Sequence, residues 1–415
     1  MQADPLPDKL KSISLLIFGC LGFLVLLGRG IYLVITGLSS LSLISATANE
    51  ELANDLLNAS GMFFSALLLI PLIYYNVRRL KGHTIQPGKV PPVKAWQVIL
   101  LAAVWLFIVV LGSLLGGVKY GWVALIPIFP LGLALPVLLL AWIASGGIPT
   151  GSRRRLWSVF GIGLFGSTGL ALLVEYLALG MAAVLFGILA LGHPEWLTIL
   201  NNLKNQITNA TDMQSLVTVL APYLTNPFVF IILLAGAAGL GPLIEEAAKP
   251  LPIWLLGNRL YSSGEGFVLG ALCGAGFALL EGLIAASGAS QLWGVGMAAR
   301  VASSLMHITA SAIAGWGIAS FRLKRSYGRL AAASLTSVGL HGLWNGSTLL
   351  VAFGSLRFSI QNNQPDMISA LIVVVGGMGL LVLFPLILIA LPVVNRKLRP
   401  PAVPLQPPPG PQIDV

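Results

Sequence analysis

The chain has 415 residues, of which 56% are hydrophobic and only 9% are charged, and its formal net charge is +10. Because a soluble globular protein carries about 25% charged residues, this composition excludes a soluble domain of useful size. The basic residues cluster in short loops beside apolar runs, where membrane topology and anionic lipid headgroups account for them better than nucleic-acid binding does. The two cysteines, Cys20 and Cys273, fall in apolar runs, and their positions predict neither a disulfide nor a zinc–thiolate site.

Apolar runs dominate the chain, and many reach the ~20 residues that a helix needs to cross a hydrocarbon core. They predict an all-α, polytopic transmembrane helix bundle of about ten spans. The first run is too long for a signal peptide, so we expect it to be an uncleaved span. Basic residues collect in alternate loops, and the positive-inside rule therefore places the N-terminus and the C-terminus in the cytoplasm. In chain order, the predicted spans are residues 13–37, 60–77, 95–117, 121–145, 157–191, 227–257, 266–287, 298–320, 330–353 and 367–394.

The fifth run, residues 157–191, is longer than a straight span requires. We interpret it as one span, although a helix with a re-entrant piece and a pair of short spans are alternatives. It contains Glu175, which is either a lone interfacial carboxylate or an outer member of a functional site. The polar segment after it, from His193 to Asn226, is predicted to lie outside, with an amphipathic helix on the membrane surface.

Charges buried in apolar runs divide the chain near residue 226, because they are almost absent before it and clustered after it. The last residues are rich in proline, which is typical of a disordered tail. The predicted regions are 1–226, an N-terminal membrane region of about five spans and unknown role; 227–353, a core of four spans that carries the polar motifs; 354–399, the last span; and 400–415, the proline-rich tail.

Four spans of the 227–353 region carry charged or polar groups deep inside their apolar runs. A charge at the bilayer centre costs roughly 2.5–3.5 kcal/mol on insertion scales, so such groups indicate a functional site. At ~1.5 Å of rise per residue most of them fall near the middle of the membrane, and we expect them to form one site. They are Glu245, Glu246 and Lys249 in the sixth span, Glu281 in the seventh, Arg300 and His307 in the eighth, and His341 and Asn345 in the ninth.

These residue types suit hydrolysis by either of two routes. Two imidazoles and a carboxylate can hold zinc and leave a position for water. A glutamate can also activate water without a metal, while His and Asn side chains stabilise the oxyanion. Glu245 and Glu246 differ by ~100° around the helix axis, so they cannot play equivalent parts. A proton- or ion-coupled transporter is the alternative function, because buried Glu, Lys and His groups also serve proton relays and ion sites.

The order of the motifs resembles the PrsW family of intramembrane proteases, which is related to the CAAX-protease and bacteriocin-processing group. The family pattern is Glu-Glu-x-x-Lys, then Phe-x-x-x-Glu, then a deep His, then His-x-x-x-Asn. Here it reads as residues 245–249, residues 277–281, His307 and residues 341–345. One departure is Gly282, which stands where the family often has Asn. The resemblance covers about residues 227–350 and identifies the 227–353 region as a protease-like core.

The resemblance implies a multi-pass enzyme of the plasma membrane that hydrolyses a peptide bond of a membrane protein substrate. A single-span regulatory protein such as an anti-sigma factor is one such substrate. It implies that Glu245 is the base that activates water and that Glu246 is a second carboxylate oriented by Lys249, although which glutamate is the base stays open. Asn345 belongs to the same catalytic group, and Arg300 supports it.

For the two histidines the resemblance leaves both routes open. His307 and His341 either bind a metal or stabilise the oxyanion, and Glu281 is either a third metal ligand or a supporting group. Zinc is the expected metal if the enzyme is of the metallo type, and a glutamate-only mechanism is the alternative.

Overall fold

The computed structural model describes residues 7–40, 46–118, 120–210, 213–256, 259–285, 293–360 and 366–401. The proline-rich tail therefore lies almost entirely outside the described residues. In the described part the chain forms fifteen α-helices, two π-helical turns and two short strands. The helices are α1 (Pro7–Ser40), α2 (Ala46–Leu80), α3 (Ala95–Gly116), α4 (Trp122–Ser145), α5 (Arg153–Gly161), α6 (Thr168–Leu191), α7 (Pro194–Thr208), α8 (Met213–Leu224), α9 (Pro227–Ala235), α10 (Gly241–Ala248), α11 (Leu251–Leu256), α12 (Ser263–Ala285), α13 (Trp293–Lys324), α14 (Tyr327–Ile360) and α15 (Met367–Leu398).

Nine helical segments of the described residues are long and apolar enough to cross a membrane. They confirm the prediction of an all-α, polytopic membrane protein. The remaining predicted span, 330–353, lies in α14, which is not one of the nine, although its 34 residues extend for about 51 Å. Helix α14 packs against α13 and α15. The nine segments are Lys9–Ser39, Glu51–Leu80, Ala95–Gly116, Trp122–Ser145, Arg153–Leu191, Pro227–Leu256, Ser263–Ile284, Trp293–Lys324 and Met367–Leu398.

The long fifth run forms one continuous helical segment, Arg153–Leu191, as the single-span interpretation predicted. Its winding widens at the π-helical turn Ile162–Ser167, between α5 and α6. A Cβ on Gly163 would lie 2.3 Å from the carbonyl oxygen of Cys273, so this turn touches the backbone of α12. The absence of a side chain at this position therefore lets the N-terminal half of the chain pack directly on the site-bearing half.

Helix α12 lies at the centre of the bundle and packs against α2, α4, α5 and α13. A stripe of glycines at spacings of four brings its backbone into contact with α13. A Cβ on Gly270 would lie 2.1 Å from the carbonyl oxygen of Ser311, and a Cβ on Gly274 would lie 2.6 Å from that of His307. Small residues at this spacing let two helices approach closely. This contact fixes the register in which α12 presents its polar residues to α13.

The proposed division of the chain near residue 226 stays a prediction. One hydrophobic cluster contains buried residues from both sides of it, such as Leu69 and Phe160 before it and Phe267 and Leu279 after it. The polar segment that follows α6 forms two helices, α7 and α8, rather than the one amphipathic helix expected from its sequence.

A small antiparallel sheet, which the all-α prediction did not include, joins two loops. Strand β1 (Pro87–Lys89) pairs with β2 (Pro149–Ser152). Such short segments, rich in Pro and Gly, lack the alternating pattern that predicts a strand. Their pairing places the two basic loops on the same side of the bundle, as the distribution of positive charge predicts.

Candidate active site

The two glutamates follow a local change in helix winding. The segment 227–256 forms α9, the π-helical turn Gly236–Leu240, α10 and α11. Pro242 occupies the first turn of α10, where its missing N–H costs little. The change in winding just before the glutamates is thus a π-helical turn, a feature often found at functional sites.

Lys249 lies at the centre of the site and is completely buried. Its Nζ is 2.6 Å from Glu246 Oε1, 2.9 Å from Glu245 Oε2 and 2.7 Å from His307 Nδ1. The same ammonium lies 4.2 Å from the centre of the Phe277 ring. An ammonium has three donors and no acceptor, so Nδ1 of His307 must be the acceptor in this contact. A single cation therefore contacts both glutamates and one histidine.

His307 is held from its other ring nitrogen. Its Nε2 lies 2.8 Å from Glu281 Oε2. Since Nδ1 accepts a hydrogen bond from Lys249, Nε2 carries the proton and donates a hydrogen bond to the Glu281 carboxylate. Arg300 is the next group outward, with Nη1 3.8 Å from Glu281 Oε1, and both of these side chains are about one third exposed.

His341 is buried and has the opposite tautomer. Its Nδ1 lies 3.0 Å from Glu246 Oε1, and its Nε2 lies 3.3 Å from Asn345 Nδ2. Asn345 Nδ2 also donates to the carbonyl oxygen of Ala237 at 2.9 Å, which ties α14 to the π-helical turn before α10. Because the amide nitrogen can only donate, His341 Nε2 is an acceptor and Nδ1 carries the proton.

Ser337 completes the environment of Glu246, and sequence reasoning missed it. Its hydroxyl donates to Glu246 Oε2 at 2.7 Å. Glu246 therefore receives hydrogen bonds from Lys249, His341 and Ser337, and it is 5% exposed. Ser337 precedes His341 by four residues and so shares its face of α14, a spacing that could have identified it.

Glu245 differs from its neighbour because it faces the two histidines. Its Oε2 lies 3.8 Å from His307 Nδ1 and 3.9 Å from His341 Nε2. That oxygen is buried and has an ion-pair contact with Lys249 but no hydrogen bond of acceptable geometry among the described residues. The expectation that the adjacent glutamates cannot play equivalent parts agrees with this geometry.

Glu245, His307 and His341 form a group that could hold a metal ion, with ligand atoms all within 4.8 Å of one another. Two imidazoles and a carboxylate are ligands that zinc commonly takes, so the donor chemistry fits the metal expected from sequence. Glu281 is absent from this group because it contacts the opposite ring nitrogen of His307. The sequence left Glu281 as either a third ligand or a supporting group, and its contact with His307 lies outside this group of ligand atoms.

All eight residues predicted from sequence thus belong to one connected set of contacts, with Arg300 joined to it through Glu281. Residues 151–390 match the sequence profile of the PrsW-protease family, described as PrsW family intramembrane metalloprotease. The chain belongs to this family. No curated protein and no solved structure gives a significant match.

Membership in the PrsW family makes the protein a multi-pass, membrane-embedded peptide hydrolase that acts on membrane protein substrates. The match begins at residue 151, well before residue 227 where the motif-based resemblance started, and it extends to residue 390. It therefore includes α6 and most of α15 in addition to the four spans that carry the motifs. Nothing in this match supports the transporter alternative.

Proposed function

We propose that this PrsW-family protein cleaves a single-span regulatory protein of the plasma membrane at the site between α10, α13 and α14. One observation carries the proposal. Three acceptor atoms, Glu245 Oε2, His307 Nδ1 and His341 Nε2, face one another deep in the bundle. The Lys249 ammonium lies beside Glu245 Oε2 and His307 Nδ1, and the Asn345 amide lies beside His341 Nε2, so a metal ion would take the place of these donors among the three acceptors. That is the environment in which a water molecule is bound and deprotonated.

The tautomers of the two histidines bear on their role. Both nitrogens that face Glu245 are acceptors, so in these tautomers neither can donate a hydrogen bond to an oxyanion. Their lone pairs suit a metal ion instead. The N–H donors at the same place are those of Asn345 and Lys249, and we assign these two residues to stabilising the carbonyl oxygen of the scissile bond.

We assign His307, His341 and Glu245 to holding the metal, for which zinc is the candidate. When bound, zinc supplies a Lewis acid that lowers the pKa of water and polarises a carbonyl. Glu281 and Glu246 then orient the histidines, because each accepts a hydrogen bond from the ring N–H that points away from Glu245. In this arrangement Glu281 acts through His307 and is not a ligand.

With Oε2 of Glu245 facing the two histidines, the other oxygen of that carboxylate, Oε1, takes the proton of the attacking water. The water oxygen forms the bond to the carbonyl carbon, the C–N bond breaks, and the proton passes to the nitrogen of the leaving amine. Glu246 cannot readily do this, since three donors occupy it. A relationship to CAAX proteases and an anti-sigma factor as substrate are parts of the proposal that rest on the family resemblance alone.

The test uses the full-length protein in liposomes with single-span model substrates, with and without a chelator. We expect Glu245→Gln to lower kcat by roughly 10²–10⁴-fold, as for loss of a general base. His307→Ala and His341→Ala should be at least as severe. The matched controls are Glu195→Gln and His193→Ala, two exposed side chains in contact at the start of α7. Unchanged cleavage in all three site variants would refute the proposal.

Lys249 provides the test of the metal, because its ammonium contacts two of the three metal-binding groups. If these groups hold zinc, Lys249→Met should bind it more tightly than the wild type does, as measured by metal content and titration after chelation. Arg300→Gln removes a cation that contacts Glu281 and is the matched control for loss of charge. Full activity of the chelated, metal-free wild type would favour the glutamate-only mechanism.

A further inference from the structure

Helix α6 carries one charged residue, Glu175, in an otherwise apolar sequence. The helix packs against α10, where Ala171 belongs to a buried cluster with Ala248 and Phe277. Since Glu175 follows Ala171 by four residues, it lies on the same face of α6, one turn further along. The packing of α6 therefore directs Glu175 toward the site.

The carboxylate of Glu175 lies beside the start of α10. Its Oε1 is 3.9 Å from the position that a Cβ on Gly241 would occupy. Gly241 precedes Glu245 by four residues, which corresponds to about 6 Å along the helix axis. Glu175 thus lies about one helical turn from the carboxylate assigned to the attacking water.

The electrostatic environment of Glu175 is unfavourable. The carboxylate is partly buried, and it is near the like charges of Glu245 and Glu281 as well as the opposite charge of Lys249. Every other site carboxylate has a close cationic or hydrogen-bonding partner, such as the Lys249 ammonium beside Glu245. Among the described residues Glu175 has no such partner. An uncompensated carboxylate at membrane depth is costly, so a functional role is the default expectation.

Space for a polypeptide exists beside Glu175. The side chain is only partly buried. Gly236 and Gly239, in the π-helical turn that leads to Gly241, have no heavy atom within 4 Å of the positions their Cβ atoms would take. The surface of the turn next to Glu175 is therefore open.

We infer that Glu175 is a specificity-determining residue that receives a basic side chain, Lys or Arg, of the substrate. The inference rests on the proposed function, because it places the scissile bond at Glu245. A basic side chain would supply the compensating charge only while substrate is bound, and its long apolar stem suits a position between helices. The ~6 Å between Gly241, beside the Glu175 carboxylate, and Glu245 along α10 corresponds to about two residues of extended substrate at ~3.3 Å each.

The experiment uses the full-length protein in liposomes and a panel of single-span substrates. Each substrate carries Lys, Gln or Glu at one variable position. This position is moved in turn over about three residues on each side of the cleavage site. The enzymes are wild type, Glu175→Gln, Glu175→Lys and the matched control Glu195→Gln. Helix α6 ends sixteen residues, or about 24 Å, beyond Glu175, so the control carboxylate lies far from the site.

We expect the wild type to prefer Lys at one scanned position. Glu175→Gln should raise KM for that substrate by about tenfold or more, with kcat little changed and with the Gln substrate unaffected. Glu175→Lys should transfer the preference to the Glu substrate, which a purely structural role of Glu175 would not produce. Cleavage by the wild type without a preference for Lys at any position would overturn the inference while leaving the protease intact. An equal slowing of all substrates by Glu175→Gln would do the same. Failure of the wild type to cleave any member would instead count against the proposed function.

Discussion

The hydrogen bond from Ser337 to Glu246 offers a quantitative test of how the site is held together. Ser337 is 1% exposed, and its hydroxyl donates to Glu246 Oε2 at 2.7 Å, with the carbonyl oxygen of Ala310 as a second acceptor at 3.0 Å. Glu246 in turn accepts from His341. Replacing Ser337 by Ala removes one of three donors to a buried carboxylate and creates little new space.

The expected magnitude follows from the charge of the acceptor. Hydrogen bonds to charged groups contribute about 1.5–3 kcal/mol to stability. This exceeds the ~0.6 kcal/mol average measured for hydrogen bonds between membrane helices, where the unfolded state in the membrane also finds hydrogen-bond partners. We therefore expect Ser337→Ala to lower the free energy of unfolding by about 1.5–3 kcal/mol. If the whole loss also falls on the transition state, kcat/KM decreases by roughly 10- to 150-fold.

Ser311 on α13 provides the matched control. It is completely buried like Ser337, but its hydroxyl has no hydrogen-bond partner among the described residues. Removing an unsatisfied hydroxyl is neutral or stabilising, so Ser311→Ala should leave stability unchanged or raise it. Unfolding in bicelles and cleavage of a single-span substrate measure the two effects. Equal behaviour of Ser337→Ala and Ser311→Ala, in stability and in activity, would refute this account.

Three further predictions concern the bundle. Gly270→Ala should destabilise the protein by about 1–3 kcal/mol or more, because the new Cβ would collide with the α13 backbone. Gly180→Ala is the control and should not destabilise the protein, because no heavy atom lies within 4 Å of its Cβ position. Thermal unfolding of both variants measures the difference. Glu265→Ala should cost about 3–5 kcal/mol in unfolding measurements by leaving the Arg155 guanidinium without its buried partner, and wild-type stability would contradict this. The backbone N–H of Ile368 and the guanidinium of Arg357 donate to Asp366 and lower the pKa of its carboxyl below the ordinary value. The Asp366 carboxylate therefore stabilises the protein above about pH 3.8, and this stabilisation is lost as the pH falls through the lowered pKa. The difference in Tm between wild type and Asp366→Asn should therefore vanish at strongly acid pH, and a constant difference would exclude that cause.

Sequence alone determined the fold class and named the polar groups that the structure brings together. Apolar runs can only be membrane helices in this composition, since no other element satisfies the backbone of a long apolar segment in lipid. The cost of buried charge then singled out the groups on four spans, and the structure brings them into one set of contacts. The glycine stripe on α12, including Gly270 and Gly274, was also readable, because small residues at that spacing permit backbone contact.

Only the tertiary structure decided which atoms meet. Each residue turns a side chain by ~100° around its helix, so the partner of a ring nitrogen depends on how four helices are rotated against one another. This rotation joins Glu281 to the outward nitrogen of His307, leaves Glu245 between the two histidines, and surrounds Glu246 with donors that include Ser337. The direction of Glu175 was undecidable for the same reason. The sequence lists the groups at one membrane depth, and packing assigns each of them its neighbours.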